Sequence, residues 1–491
     1  MTTPAATTIP RCMSTQHPDN VTVPFFASGP ELSGEDEVQE AYYAFSHLGC
    51  DEQMWDVEGK EVDSFVVKKL LTRHESYFSQ ERLGRDVFLT LRVPNPTVEK
   101  AEAKILIETL ESIPRSFDAS KHVFGDDLAP IFEVILPMTT SSKCPNRVFH
   151  YYRDFIVARQ DEPFFPGDIS IAEWIGEFKP SAINVIPLFE DLPHLLTADE
   201  ITADYLRGKQ LTDQRVFLAR SDPAMNYGIV SAVLVTKIAL QRLERLQERL
   251  DVALHPILGA GSAPFRGSLS PANAPRVAQE YPSVETFTVQ SAFKYDHTPN
   301  EVMNAVRYLR DRAVKPAQEM DEAGCHELTA RYSAEYQRQV QVLAPQINAM
   351  ARFVPSRRKR KLHVGLFGYS RNVGAAQLPR AISFTAALYS LGVPPELLGL
   401  SALTEADLRF VRTQYRHFDA DLRDALRFAD LESPFLPREV REAVERLGLP
   451  VMVDTEHREL VQRLSRMLLD EQKEGAADLL VRAANLRRFL G

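Results

Sequence analysis

Eight short apolar or β-branched runs alternate with longer amphipathic stretches along this 491-residue chain. The runs are QMWDVE (53–58), DVFLTLRV (86–93), IFEVILPM (131–138), INVIPLFE (183–190), VFLARSD (216–222), LHPILGAG (254–261), TFTVQSAF (286–293) and KLHVGLFGYS (361–370). Several are almost continuously apolar, as strands covered on both faces must be. Between the first two, Val62, Phe65, Val66 and Leu70 share one helical face. Val98, Ala101, Ile105 and Leu106 repeat the pattern, and Asn226 to Leu250 reads as one long helical segment. Eight strand–helix units predict an α/β fold, a (β/α)8 barrel. A doubly wound open sheet is the rival, because strand count alone does not close a barrel.

Residues 1–35 are rich in Pro, Thr and Ser and carry no period, so they read as an irregular N-terminal arm. The barrel is expected over 36–393. From 394 to 491 no strand pattern remains, and Leu408, Val411, 421–428, 440–447 and 456–470 read as helices. This helical extension suits a lid, a regulatory pocket or an oligomer contact. The net charge of -10 argues against a general nucleic-acid or anionic-membrane surface. The basic run Arg357, Arg358, Lys359, Arg360, Lys361 is expected to be a solvated flank. Cysteines stand at 12, 50, 144 and 325 with no CxxC pair, which fits reduced thiols in the cytoplasm. The N-terminus shows no signal-peptide pattern, and the longest apolar segment, 228–240, is interrupted by Thr236 and Lys237 and too short to span a bilayer.

The ends of the runs carry ionisable groups that a structural barrel does not need. Arg92, Glu190, Asp222, Arg266, Lys294 and Arg371 fall at or just past successive runs, where barrels place catalytic side chains. Glu190 and Asp222 close adjacent runs, a pairing suited to one hard divalent cation such as magnesium or manganese. A surface loop explains Glu190 equally well on spacing alone, and a helix N-cap before Pro223 explains Asp222. GAGSAPFRGS (259–268) lacks the third glycine of a dinucleotide loop and suits phosphate better, with Arg266 as donor. Arg371 and Arg380, in GYSRNVGAAQLPR (368–380), would complete an arginine cluster around an anionic substrate. STQHPDN (14–20) places His17, a candidate proton carrier, in an otherwise featureless arm.

STQHPDN, INVIPLFEDL (183–192), LARSDPAMNYG (218–228), GAGSAPFRGSLSPAN (259–273), TVQSAFKYD (288–296) and FGYSRNVGAAQLPRA (367–381), taken in this order, resemble the short, archaeal type of phosphoenolpyruvate carboxylase. The resemblance implies carboxylation of phosphoenolpyruvate by bicarbonate to oxaloacetate and phosphate, through carboxyphosphate and pyruvate enolate, with Mg2+ or Mn2+. It implies His17 as general base, Glu190 and Asp222 as metal ligands, and Arg266, Arg371 and Arg380 as catalytic anion holders. Arg92 and Lys294 would join them in substrate binding. A cytoplasmic homotetramer is implied too. Leu258 and Ala260 depart from the long-form pattern, which has a histidine and an arginine there. Feedback by aspartate or malate is not traceable in the shortened C-terminus. Another metal-dependent barrel lyase or transferase acting on phosphoenolpyruvate or pyruvate is the enzymatic alternative. It would not require STQHPDN; a non-enzymatic barrel scaffold that binds a partner through the helical extension and basic run is the other, and it has no use for the Glu190, Asp222, Arg266, Arg371 and His17 set.

Overall fold

The computed structural model describes residues 8–58, 62–100, 103–359, 372–373, 376–450 and 452–491. Eight parallel strands close a barrel: β1 (Cys12–Ser14), β2 (Glu52–Asp56), β3 (Phe88–Arg92), β4 (Glu133–Leu136), β5 (Asn184–Phe189), β6 (Asp213–Ala219), β7 (Ala253–Gly259) and β8 (Thr286–Val289). Closure excludes the doubly wound sheet. Seven of the eight apolar runs supply strands β2 to β8, and the last, 361–370, lies outside the described residues. The remaining strand comes from the stretch read as an irregular arm. Cys12–Ser14 pairs with β2 at Met13↔Glu52 and with β8 at Cys12↔Phe287. The barrel therefore starts at residue 12, within the stretch assigned to the arm.

Strand alternation decides what fills the barrel. Met13, Met54, Ile135, Ile186, Leu188, Phe217 and Ile257 form a compact inner cluster. The intervening residues, such as Trp55, Val134 and Val185, join the larger core packed under the surrounding helices. At the end where the strands begin, buried Arg215 is held bidentately by Glu52 at 2.7 and 2.6 Å and lies 3.2 Å from Glu133. The same inward register carries Asp56, Arg92 and Glu190 to the opposite mouth.

The segment 226–250 is two helices, Ser221–Tyr227 and Ile229–Leu250, broken at Gly228. Gly228 has φ 80, and a Cβ there would come within 2.6 Å of the Tyr332 ring, so only glycine fits this bend. Past the barrel, helices at Glu405–Gln414, Phe418–Leu426, Arg438–Leu447, Thr455–Leu469 and Ala476–Arg487 match the expected extension. The basic run is not a solvated flank where it is described. Arg358 is 2% exposed and pairs with Glu37 at 3.0 Å and Glu40 at 2.6 Å, while Arg357 donates to Asn20 O and Val21 O. Two buried carboxylates thus draw part of the basic run inward. No helix among the described residues is long and apolar enough to cross a membrane.

Candidate active site

A cavity of about 120 Å³ opens at the C-terminal mouth of the barrel. His17, Asp56, Glu58, Arg92, Glu190, Asp222, Arg266 and Arg380 all line it. Residues scattered over more than 360 positions therefore converge on one space, as expected for the catalytic end of such a barrel.

Each side chain is placed by its element. Arg92 ends β3, and its Nε and Nη2 each donate at 2.7 Å to the Asp56 carboxylate, which ends β2. Glu58 lies 3.4 Å from the same guanidinium. Glu190 directly follows β5, and its Oε2 accepts a 2.7 Å bond from Met138 N–H. Asp222 is not the N-cap but lies in the first turn of Ser221–Tyr227, where Arg220 caps without a side-chain bond. Burial drives the Glu190 pKa well above the ordinary carboxylate range, and Asp222 and Glu58 add to the rise against the opposing Arg92 charge. Glu190, Asp222 and Glu58 thus share one buried acidic corner of the cavity. That donor set fits a hard divalent cation, since magnesium is commonly held by one or two carboxylates with substrate and waters completing the shell. Among the described residues no three His, Cys, Asp or Glu side chains form a closed metal cluster.

Arg266 is fully enclosed. Its Nε donates to Ser221 Oγ at 3.1 Å, Nη2 to Gln290 Oε1 at 2.6 Å, and Nη1 to both Asp19 Oδ2 at 3.2 Å and Gly491 O at 2.7 Å. Burial lowers its pKa, with Asp19 and Asp222 pulling the other way. Gly491 fits because it has no side chain: a Cβ would lie 2.0 Å from Ile382 O. Arg380 precedes the helix Ala381–Ser390, and its buried Nη2 has no hydrogen-bond partner among the described residues. Burial lowers its pKa too, despite Glu58, Asp56 and Asp222 nearby. A guanidinium donor left unpaired against a cavity is a ready contact for an anion. His17 leaves β1 toward the cavity, its Nδ1 3.0 Å from Thr15 Oγ1, and its carbonyl accepts from Asp19 N–H and Ser291 N–H.

Two of the expected residues are not in this set. Arg371 lies outside the described residues. Lys294 does not reach the cavity. Its ammonium is buried behind β1, donating to Ser14 Oγ at 3.0 Å, Thr15 O at 2.9 Å and Glu40 at 2.8 Å. The Glu40 carboxylate is the stronger attraction, so Lys294 supports the strand that carries His17 instead of touching substrate. At the two departing positions, Leu258 packs into the outer core and Ala260 N–H bonds Thr288 Oγ1 at 3.0 Å, so neither presents a donor side chain.

Sequence reasoning missed Asp56, Glu58, Asp19 and Gln290. Asp56 and Glu58 close the first run, QMWDVE, whose polar end matches that of the others. Asp19 sits inside STQHPDN but is buried, where its carboxylate bonds Ala292 N–H at 2.7 Å and Arg266. Burial raises its pKa by more than the Arg266 charge lowers it.

Comparison with known proteins agrees with this geometry. The family model described as phosphoenolpyruvate carboxylase matches residues 9–491. A phosphoenolpyruvate carboxylase of Methanothermobacter thermautotrophicus is 56% identical over 98% of this chain and 100% of its own length. Those of Methanospirillum hungatei and Pyrococcus abyssi are 55% and 50% identical, each over 98% of this chain and all of theirs. The scaffold alternative falls with this match. With the family model and full-length relatives agreeing, the chain belongs to the phosphoenolpyruvate carboxylase family of enzymes.

Proposed function

We propose that this enzyme joins bicarbonate to phosphoenolpyruvate, yielding oxaloacetate and inorganic phosphate. The observation that carries the reading is one barrel-mouth cavity lined by the Glu190–Asp222 carboxylate pair, His17, Arg266 and Arg380. Phosphoenolpyruvate brings a phosphate and a carboxylate. The unpaired Nη2 of Arg380 suits either group, and the rigidly held Arg266 offers fixed positive charge beside it.

A bicarbonate oxygen attacks phosphorus, and the bond from phosphorus to the enol oxygen breaks with its electron pair passing to the enolate. The arginines hold the phosphoryl oxygens as this charge moves. His17 then takes the carboxyl proton of carboxyphosphate. The bond from carbon to the bridging oxygen breaks, carbon dioxide is released inside the cavity and phosphate leaves. The enolate carbon attacks carbon dioxide and forms the new carbon–carbon bond. Thr15, bonded at Nδ1, orients the imidazole for that proton transfer. Glu190 and Asp222 would hold magnesium or manganese, which when bound supplies Lewis-acid stabilisation of enolate and phosphoryl charge.

Arg371 belongs to the same proposal by family resemblance. A homotetramer working in the cytoplasm, replenishing oxaloacetate, completes it. The decisive assay mixes purified protein with phosphoenolpyruvate, bicarbonate and magnesium and follows oxaloacetate by NADH oxidation with malate dehydrogenase. Signal dependent on all three additions supports the reading, and absence of oxaloacetate with folded protein refutes it. Sedimentation equilibrium tests the tetramer.

A further inference from the structure

Behind the glycine-rich loop lies a second, much smaller crevice that the reaction does not use. It is lined by Pro264 and Gly267 of that loop and by Arg220, Arg276, Tyr281 and His417, with Glu280 and Asp421 at its acidic side. Its free space is about 10 Å³, enough for one water-sized occupant.

Arg220 makes this crevice chemically unusual. The residue is 1% exposed, yet Nε, donating to Tyr281 Oη at 3.0 Å, makes the one side-chain hydrogen bond it has among the described residues. Its Nη1 is buried and has no partner among the described residues. Arg276 Nε and His417 Nε2 are buried without partners as well. The neighbouring acids are already engaged. Glu280 pairs with Lys237 and accepts from His417 N–H at 2.8 Å, and Asp421 accepts from Tyr415 Oη and lies 3.1 Å from Arg276 Nη2. An uncompensated guanidinium is among the costliest groups to bury, so its surroundings call for a counter-charge.

We propose that the crevice binds one monatomic anion of chloride size, held by Arg220 with Arg276 and His417. Arginine offers donors and no acceptor. Arg220 and Arg276 both line this one small space and each keeps a buried N–H without a partner among the described residues, with His417 Nε2 able to donate in one tautomer, a set that matches an ion that only accepts. A water molecule would need acceptors for its own two hydrogens, and the crevice's carboxylates, Glu280 and Asp421, are already engaged. The space is too small for a phosphate or a carboxylate. Arg220 directly precedes Ser221, whose Oγ accepts from Arg266 Nε, so an ion here braces the turn that supports Arg266 from outside the catalytic cavity.

Bromide replaces chloride and scatters anomalously, so crystals of the whole protein grown with sodium bromide give a direct test. The expected result is an anomalous peak within hydrogen-bond reach of Arg220 Nη1. In parallel, Tm is measured in gluconate buffer while chloride replaces gluconate at constant ionic strength. A saturable rise is expected for the wild type and no saturable rise for Arg220→Met. An ordered water with no bromide peak overturns the proposal, as does the same chloride response in both proteins. Should Arg220→Met not fold, Arg276→Met carries the comparison, and the bromide peak decides on wild-type protein alone.

Discussion

Replacing Asp19 by asparagine tests whether Arg266 owes its position to this buried carboxylate. Asp19 Oδ1 accepts from Ala292 N–H at 2.7 Å, and Oδ2 accepts from Arg266 Nη1 at 3.2 Å with Ser262 N–H at 3.5 Å. Both oxygens thus face donors. Asparagine has one oxygen and one NH2, so either orientation sets a donor against a donor. Facing the amide toward Arg266 also removes the charge opposite a guanidinium that is 1% exposed. An unsatisfied buried donor costs about 1–3 kcal/mol, and unpairing a buried charge about 3–5 kcal/mol. Arg266 keeps its bonds to Gln290, Ser221 and Gly491, so the loss should fall at the lower end, about 2–3 kcal/mol. If half of that appears at the transition state, kcat/KM falls about tenfold. Stopped assays for oxaloacetate, with Tm from calorimetry, measure both parts. A variant with wild-type Tm and wild-type kcat/KM would show that Asp19 does not hold Arg266, and the reasoning would fail.

Arg380→Ala should lose about 2–4 kcal/mol of transition-state stabilisation, the scale for a preorganised charged donor; near-normal turnover would mean that its unpaired Nη2 does not meet substrate. Glu190→Gln should abolish most activity and weaken magnesium binding while the fold persists, and unchanged affinity in calorimetric titration would remove Glu190 from the metal set. His17→Asn should stop oxaloacetate formation yet leave some bicarbonate-dependent phosphate and pyruvate release, because the base acts after phosphorus–oxygen cleavage; loss of a positioned base costs about 10²–10⁴-fold, and parallel modest losses of all three products would count against that role. Glu396 is buried, accepts Phe265 N–H and Tyr389 Oη, and has its pKa raised from 4.5 to about 7 by burial. A carboxyl with a raised folded pKa binds its proton more tightly folded than unfolded, so its stabilisation is full at low pH and is lost as pH rises from 4.5 toward 7. Glu396→Gln should therefore lose less unfolding free energy than wild type between pH 5 and pH 8, by up to about 3 kcal/mol, and show a correspondingly smaller fall in Tm; superimposable Tm–pH curves would refute this.

Where burial on both faces repeats, as in NVIPLF or RVFLA, the residues announce strands without help, and the helical faces between them set the barrel. The meeting of the Glu190 and Asp222 carboxylates was legible for the same reason. Glu190 and Asp222 follow neighbouring apolar strands, and the parallel register Leu188↔Phe217 brings those strand ends together. Lys294 misled because it also follows a strand. Its fate was decided by Glu40, a residue of the helix Glu35–Ser46 with no sequence relation to it. Asp56 is hidden differently, since Arg92 reads as a strand-end substrate contact and only the register of two adjacent strands pairs it with Asp56.

The arm shows why strand length limits such reading. Cys12–Ser14 is three residues long, too short for any alternation to register, and its sequence is flanked by Pro10 and by the polar STQHPDN. What makes it a strand is the barrel itself. Seven strands leave two open edges, β2 and β8, and an unpaired edge of backbone donors and acceptors seeks a partner. Cys12–Ser14 fills that gap between them, and all three residues are buried. Closure then places His17 three residues beyond the strand end, beside the cavity reached by Glu190 and Arg266. His17 is therefore set by the same pairing that completes the barrel, with Lys294 and Glu40 bracing β1 from behind. A histidine that reads as an isolated loop residue is in this way attached directly to the most constrained element of the fold.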